Sequence, residues 1–152
     1  MSIHVQQHDF DVAEELKNLT SENIGIGGVC LFVGLVRDMA DGDDISSMTL
    51  EHYPGMTEKA LADIENQALA RWPLQSTRII HRYGRLEPGD QIVFVAATSA
   101  HREAAFEACH FLIDWLKTKA PFWKLEAGPN GGHWVDARDS DDQATKRWQV
   151  KE

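Results

Sequence analysis

The sequence predicts a single mixed α/β or α+β domain, and three observations support this. A chain of 152 residues has the usual length of one domain with a sizeable core. Its hydrophobic content of 43% and charged content of 26% are ordinary for a globular protein. Strand patterns and helix patterns alternate along it in the order β-β-α-β-β-α-β. We therefore expect one unit over residues 1–152, in which about the first 25 residues are poorly determined by the sequence.

The first half of the chain contains two strand patterns and one helix pattern. Residues 28–36, GVCLFVGLV, form a continuous apolar run of strand length. The polar segment 37–47 predicts a mobile, solvated loop, and the alternation over 47–53 predicts a second strand. Apolar residues at helical spacing then predict a helix that starts in the PGMTEK stretch and ends before Pro73.

The second half predicts two more strands, a long helix and a final extended pair. Residues 78–83 and 91–98 have strand patterns, and a Pro-Gly-Asp turn signal lies between them. The helix is expected to begin with Ser99 as its N-cap and to run to about Thr118, because Pro121 cannot continue it. The FWKLE and GGHWV stretches that follow predict short extended segments around a Gly-rich turn.

The long second helix is apolar over most of its surface. Its polar side chains lie within a stripe about 80° wide, and they are Glu103, Glu107, His110, Asp114 and Lys117. So much apolar surface needs cover in a small protein, so we expect this helix to pack on a sheet and leave open that a second subunit covers the rest.

Composition excludes several classes of function. A formal net charge of -9 argues against nucleic-acid binding, which needs clustered positive charge. No apolar run approaches the roughly 18 residues of a membrane span, and the N-terminus lacks the layout of a signal peptide, so we expect a cytoplasmic protein without membrane contact. Cys30 and Cys109 lie in separate apolar contexts without a CxxC motif, which indicates neither a disulfide framework nor a zinc site. The seven histidines show no metal-ligand spacing, and a mid-helix Cys109 is a poor nucleophile.

The segment TSAHRE, residues 98–103, is the first candidate site. It places His101 and Arg102 in the first turn of the long helix, where free N–H groups and the helix dipole favour an anion. The alternative is that Arg102 pairs with a surface acid while His101 is merely solvated.

The segment KTKAPFWKLE is the second candidate. Lys117 and Lys124 flank a Pro-Phe-Trp turn, and partly desolvated lysines are those whose pKa shifts enough for catalysis. Surface pairing and edge solubility are the ordinary explanations for such lysines, and we keep that reading for Lys119. Arg37, at the end of the first apolar strand, is either a phosphate ligand or a solvated loop residue.

The two candidate sites are far apart on one predicted helix. His101 and Lys117 are sixteen residues apart, which corresponds to roughly 24 Å along the axis and about 160° around it. One small-molecule site cannot hold both from the same chain. Either the helix is broken or the site is shared across a dimer interface, and we favour the shared site.

Several long blocks resemble one known family. LEHYPGMTEKAL (50–61), IHRYGRLEPGDQIVFVAATSAHREAAFEA (80–108), LKTKAPFWKLE (116–126) and WVDARDSDDQATKRW (134–148) closely resemble the large, catalytic subunits of molybdopterin synthase. The resemblance implies a hammerhead-type α+β fold with a mixed sheet, two main helices and a small β subdomain.

The resemblance also implies an activity and its partners. Such enzymes form a homodimer within a heterotetramer, together with a small ubiquitin-like sulfur carrier. The C-terminal Gly-Gly thiocarboxylate of the carrier supplies sulfur to cyclic pyranopterin monophosphate, and the dithiolene of molybdopterin is formed without a metal or other cofactor. The competing hypothesis is a non-catalytic module that binds a ubiquitin-like tail or a phosphate ligand.

The resemblance finally implies a set of pocket residues. The catalytic candidates are Lys117, with the central role, and Lys124. The substrate-binding candidates are these two lysines with Arg37, His101, Arg102, Leu35, Val36, Leu125, Glu126 and, as the weakest match, Arg138. Leu35 and Leu125 depart from the family pattern, which often has a basic or polar residue at the first position and a basic one at the second.

Overall fold

The computed structural model describes residues 2–37, 39–40, 43–44, 47–120, 122–128, 131–135 and 148, with only the backbone at 39–40, 43–44, 123–128 and 131–135. Its three helices are α1 (Val12–Thr20), α2 (Met56–Arg71) and α3 (Arg102–Lys119). The strands are β1 (Ile3–Gln6), β2 (Gly28–Leu35), β3 (Met39–Ala40), β4 (Asp43–Asp44), β5 (Ser47–His52), β6 (Leu74–Arg82), β7 (Gly84–Leu86), β8 (Gln91–Ser99), β9 (Phe122–Gly128) and β10 (Gly131–Val135).

The strands form two four-stranded sheets and a short ribbon. The first sheet has the order β1-β6-β8-β2, in which β1 runs parallel to β6 and the other neighbours are antiparallel. The second sheet, β10-β9-β5-β7, is antiparallel throughout, and β3 pairs with β4 alone. The predicted α+β class with a mixed sheet is confirmed.

The main core lies between one face of the first sheet and the helices α2 and α3. Alternate residues of β8 are directed to opposite faces, as strand geometry requires. Val93, Val95 and Ala97 enter the main core, whereas Phe94 and Ala96 join a smaller cluster on the other face. β8 is therefore buried on both faces, which explains its continuous apolar sequence.

Most of the predicted elements are present, with extensions. β2, β5, α2 and the β9–β10 hairpin fall where the sequence indicated them, while β6 begins four residues before the predicted start at 78. The expected loop 37–47 is corrected in part, because four of its residues form the β3–β4 ribbon, while β5 starts at Ser47 as the strand predicted over 47–53 does. Its predicted mobility stays a prediction, as does the single-domain boundary at 1–152.

The start of α3 also differs from the prediction. His101, not Ser99, occupies the N-cap position, and it makes no side-chain capping hydrogen bond. Ser99 is the last residue of β8, and its hydroxyl donates to the Pro73 carbonyl at 2.8 Å. The same hydroxyl accepts from the His101 N–H at 3.4 Å, so Ser99 contacts the start of the helix from two positions before the N-cap rather than as the N-cap itself.

Two N-terminal elements were not predicted. β1 pairs with β6 in the register Ile3 opposite Ile79, and α1 begins after Asp11, whose carboxylate accepts from the Glu14 N–H at 3.1 Å. No helix in the described part of the chain is long and apolar enough to cross a membrane.

Candidate functional site

The C-terminal end of β2 carries the first candidate residues. A register irregularity separates Gly34 from Leu35, and Leu35 is 54% exposed. Val36 is buried, and both its backbone groups are paired with the turn before β8: its N–H donates to the Asp90 carbonyl and its carbonyl accepts from the Gly89 N–H. Val36 therefore fixes the strand end, and the exposed Arg37 follows this fixed point.

Helix α3 runs alongside β2 in the same direction. At its start, a Cβ added to Gly28 would lie 3.6 Å from the Arg102 Cα. In its middle, the Cys109 thiol lies 3.8 Å from the carbonyl of Val95, whose partner on β2 is Phe32. From Gly28 to the end of β2 the strand advances about 23 Å, and α3 advances about the same distance from Arg102 to Lys117. Because the two elements start together and run in the same direction, Lys117 lies at the same end of the sheet as Arg37.

His101 and Arg102 lie at the other end of α3. Both are exposed, and Arg102 forms no ion pair with any residue that the structure describes. The 18-residue helix is unbroken between them and Lys117, so the broken-helix alternative is wrong. The structure brings Arg37 and Lys117 to one end and keeps His101 and Arg102 at the opposite end.

The backbones of Lys124, Leu125 and Glu126 lie in the middle of the second sheet. On β9 these residues are opposite Leu50, Thr49 and Met48 of β5, in that order. On the other side β10 pairs with the same three residues. Arg138, the remaining candidate, lies outside the described residues.

The polar stripe of α3 holds a contact that the sequence did not indicate. Asp114 is buried, and its Oδ2 accepts a 2.6 Å hydrogen bond from the Trp148 indole N–H. The Trp148 ring makes edge-on contacts with Trp72, Phe111 and His110. The sequence offered only an aspartate on the polar stripe of a mostly apolar helix, and its partner is 34 residues away. The stripe therefore partly serves to hold Trp148.

A second unpredicted group surrounds Phe122, the first of the two aromatic residues between Lys117 and Lys124. His81 stacks on its ring, and the tilted ring of His52 lies 6.0 Å away between ring centroids. The signal available in the sequence was a histidine within the apolar strand run RIIHRY.

The two cysteines are neighbours, contrary to the separate contexts expected from the sequence. Cys30 on β2 and Cys109 on α3 face the same core, and burial together with the nearby Cys30 thiol raises the pKa of Cys109 well above its ordinary value. The Cys109 thiol thus stays protonated, which agrees with its predicted inertness as a nucleophile. Among the described residues, no group of three or more His, Cys, Asp or Glu side chains has the arrangement of a metal site.

An open depression of about 440 Å³ lies between β1 and α2, and none of the described candidate residues lines it. Glu65 in its lining accepts hydrogen bonds from the Ser2 and Thr77 hydroxyls, each at 2.7 Å. These bonds attach β1 and β6 to α2, so the acidic group in the depression has a structural role.

Comparison with known proteins identifies the family. The sequence model of the MoaE protein family matches residues 5–119. The molybdopterin synthase catalytic subunit of Pseudomonas aeruginosa is 56% identical over 149 residues, which cover 98% of this chain and 99% of the relative. The structure of the molybdopterin biosynthesis MoaE protein from Burkholderia ambifaria superposes with a TM-score of 0.85 at 51% identity, covering 99% of both chains.

A more distant structure shares the fold. A Helicobacter pylori complex of subunits 1 and 2 of molybdopterin-converting factor gives a TM-score of 0.75 at 22% identity, covering 91% of this chain and 92% of that chain. The resemblance drawn from the sequence blocks is confirmed by the nearer matches. The chain belongs to the MoaE family, the catalytic subunits of molybdopterin synthase, and is an enzyme of molybdenum cofactor biosynthesis.

Proposed function

We propose that this chain transfers sulfur from the C-terminal thiocarboxylate of a small ubiquitin-like carrier to cyclic pyranopterin monophosphate, forming the dithiolene of molybdopterin. The observation that carries the proposal is the position of Arg37 and Lys117 at one end of the first sheet, both exposed. A guanidinium group suits a substrate phosphate, and an ammonium group suits an oxygen that becomes negative during acyl chemistry.

The second part of the proposal is that two copies of the chain complete the site. β2 is an edge strand of the first sheet, and no other described strand pairs with its outer side. Exposed apolar side chains are concentrated there: Phe32 and Leu35 on β2, Phe106 on the adjacent α3, and Ile24 in the segment before β2. An apolar edge strand is a template for pairing with another chain, and we propose a second copy as its partner.

Antiparallel pairing of the two β2 strands would assemble the residues that one chain keeps apart. In a two-fold pairing of this kind, the C-terminal end of one strand lies beside the N-terminal end of the other. Gly27 and Gly28 pack directly against Ala100 and Arg102 in each chain. Arg37 and Lys117 of one copy would thus face His101 and Arg102 of the other.

The chemistry assigns a role to each group. Arg37, with His101 and Arg102 of the second copy, would hold the substrate phosphate. Removal of sulfur from an acyl carbon passes through an intermediate whose oxygen carries negative charge, and Lys117, supported by Lys124, would stabilise that oxygen. Either lysine would serve as general acid or base if its site depresses its pKa.

The partner of the proposed dimer is the carrier itself. The Helicobacter pylori protein of the same fold was solved as a complex with a different subunit, which makes a small carrier the first partner to test. We expect one carrier per copy and therefore a heterotetramer. The cytoplasmic location expected from the sequence stays a prediction.

A reconstituted reaction tests the proposal. The purified chain is mixed with a thiocarboxylated carrier and cyclic pyranopterin monophosphate, and the product is measured by fluorescence of the oxidised pterin. Formation of the dithiolene with multiple turnovers supports the proposal. Tight carrier binding without product would instead favour the non-catalytic binding module, and a carrier that ends in an ordinary carboxylate is the matched negative control.

A further inference from the structure

The ring of Phe122 contacts two histidines that come from different sheets. His81, near the end of β6 in the first sheet, stacks on Phe122 with ring centroids 3.7 Å apart and planes 16° apart. His52, at the end of β5 in the second sheet, lies opposite Phe122 in the strand register and 6.0 Å from its ring. Phe122 is thus a joint between the two sheets.

Hydrogen bonds fix both histidine rings. His81 Nδ1 lies 2.8 Å from the Arg82 carbonyl oxygen, and because a carbonyl only accepts, Nδ1 carries the proton. The Thr57 hydroxyl donates its one proton to the Tyr53 carbonyl at 2.8 Å, so it accepts from His52 Nδ1 at 3.1 Å. Nδ1 of each ring therefore donates a hydrogen bond, and this bond fixes the orientation of the ring beside Phe122.

The joint lies at the end of the first sheet that carries Arg37 and Lys117. His81 is opposite Val93 near the beginning of β8, and Leu35 of β2 is opposite Gln91 at the same end. β6 continues past this point into β7 of the second sheet. Phe122 is consequently anchored at the end where the proposed chemistry takes place.

The connection between the two candidate lysines needs such an anchor. Lys124 follows Lys117 by seven positions, and a chain of that length spans up to about 24 Å when extended. Helix α3 ends at Lys119, and the Phe122 N–H donates to the Ala120 carbonyl at 2.9 Å, which turns the chain sharply into β9. After this turn, β9 begins at Phe122, which is paired with His52 of β5 and has its ring against His81.

We propose that His81 and His52 are positioning residues for sulfur transfer, which seat Phe122 and thereby set the separation of Lys117 and Lys124. This inference rests on the proposed function. Misplacement of a reacting group by about 1 Å costs on the order of 10²-fold in rate. A loss of the stack should therefore lower kcat much more than it raises the KM values for carrier and precursor.

Three variants test the inference, and a fourth is used if the first does not fold. His81→Ala removes the stack, His81→Phe restores an aromatic ring, and Ile80→Ala is the matched control. Ile80 is the adjacent buried residue of β6, but it belongs to the smaller cluster on the other face of the sheet. We expect kcat to fall about 100-fold in His81→Ala and to stay within a few-fold of wild type in His81→Phe and Ile80→Ala. If His81→Ala does not fold, Phe122→Leu removes the same stack from the other side.

The outcomes separate this inference from the proposed function. If the wild-type chain makes no dithiolene, the proposed function fails and the inference fails with it. Suppose that the wild-type chain is active, but that kcat falls no further in His81→Ala, or in Phe122→Leu where that variant replaces it, than in Ile80→Ala. Only the inference is then overturned. Failure of His81→Phe to restore kcat would also overturn the inference, because an aromatic ring stacked on Phe122 would then not be what maintains turnover.

Discussion

His101 and Lys117 lie at opposite ends of one unbroken helix, about 24 Å apart along its axis. The family resemblance assigned both to one pocket, and a single copy of the chain cannot bring them together. Both β2 and α3 start at one end of the first sheet and finish at the other. The proposed antiparallel pairing of two β2 strands would therefore bring Lys117 of one copy close to His101 of the other.

The first prediction concerns this shared site. A His101→Ala, Arg102→Ala double variant and a Lys117→Ala variant should each be inactive alone. Subunit exchange between equal amounts should recover about a quarter of wild-type turnover, because half of the dimers are mixed and each mixed dimer has one intact site. Product formation after exchange measures the recovery. A mixture no more active than its two components, or a fully active monomer, would contradict the shared site.

The second prediction separates the two lysines at the end of α3. Lys117→Ala should lower kcat about 10²- to 10³-fold, the usual cost of removing a group that stabilises an oxyanion, while carrier binding is retained. Lys119→Ala is the control: its ammonium group lies 5.6 Å from the centre of the Trp115 ring, and its loss should leave turnover near wild type. The measurements are steady-state kinetics and carrier binding by calorimetry. Near-wild-type turnover of Lys117→Ala would refute its central role.

The helices and strands with strong local patterns could be predicted from the sequence, and those that depend on distant partners could not. The apolar run of β2 and the spacing of α2 locate these elements without tertiary information. β1 has only four residues, and its pairing with β6 spans more than seventy positions. β7 has three residues and no pattern of its own.

The candidate site shows the same division. The residue types of Arg37, Lys117 and Lys124 could be selected from motifs, but their relative placement depends on the packing of α3 along β2. The role of Asp114 was hidden because its partner Trp148 lies 34 residues away. His81 resembled an ordinary polar residue in a strand, since nothing local indicates that it stacks on Phe122.

The third prediction concerns the close approach that supports His101 and Arg102. A Cβ at residue 27 would lie 2.0 Å from the Ala100 carbonyl oxygen, whereas a Cβ at Gly28 would meet the Arg102 Cα at an ordinary 3.6 Å. Gly27→Ala should therefore lower the free energy of unfolding by about 2 to 3 kcal/mol, the usual cost of overpacking, and Gly28→Ala by less than about 1 kcal/mol.

Urea denaturation measures this difference, and turnover of the folded variants gives a second test. If the start of α3 is displaced in Gly27→Ala, its kcat should fall in parallel with its stability. Equal stability of the two variants would show that Gly27 is not required for the packing of α3 against β2.

The fourth prediction compares two tryptophans. Trp148→Phe keeps most of the ring packing but removes the N–H that donates to buried Asp114, so the free energy of unfolding should fall by about 1 to 3 kcal/mol. The indole N–H of Trp115 is buried and has no hydrogen-bond partner among the described residues, so Trp115→Phe loses no such bond and should change stability by less than about 1 kcal/mol. Thermal unfolding of both variants measures the contrast. A Trp148→Phe variant as stable as wild type would show that the hydrogen bond to Asp114 does not stabilise the fold, and would leave ring packing and the hydrogen bond from Arg71 to the backbone carbonyl of residue 148 to hold this residue in place.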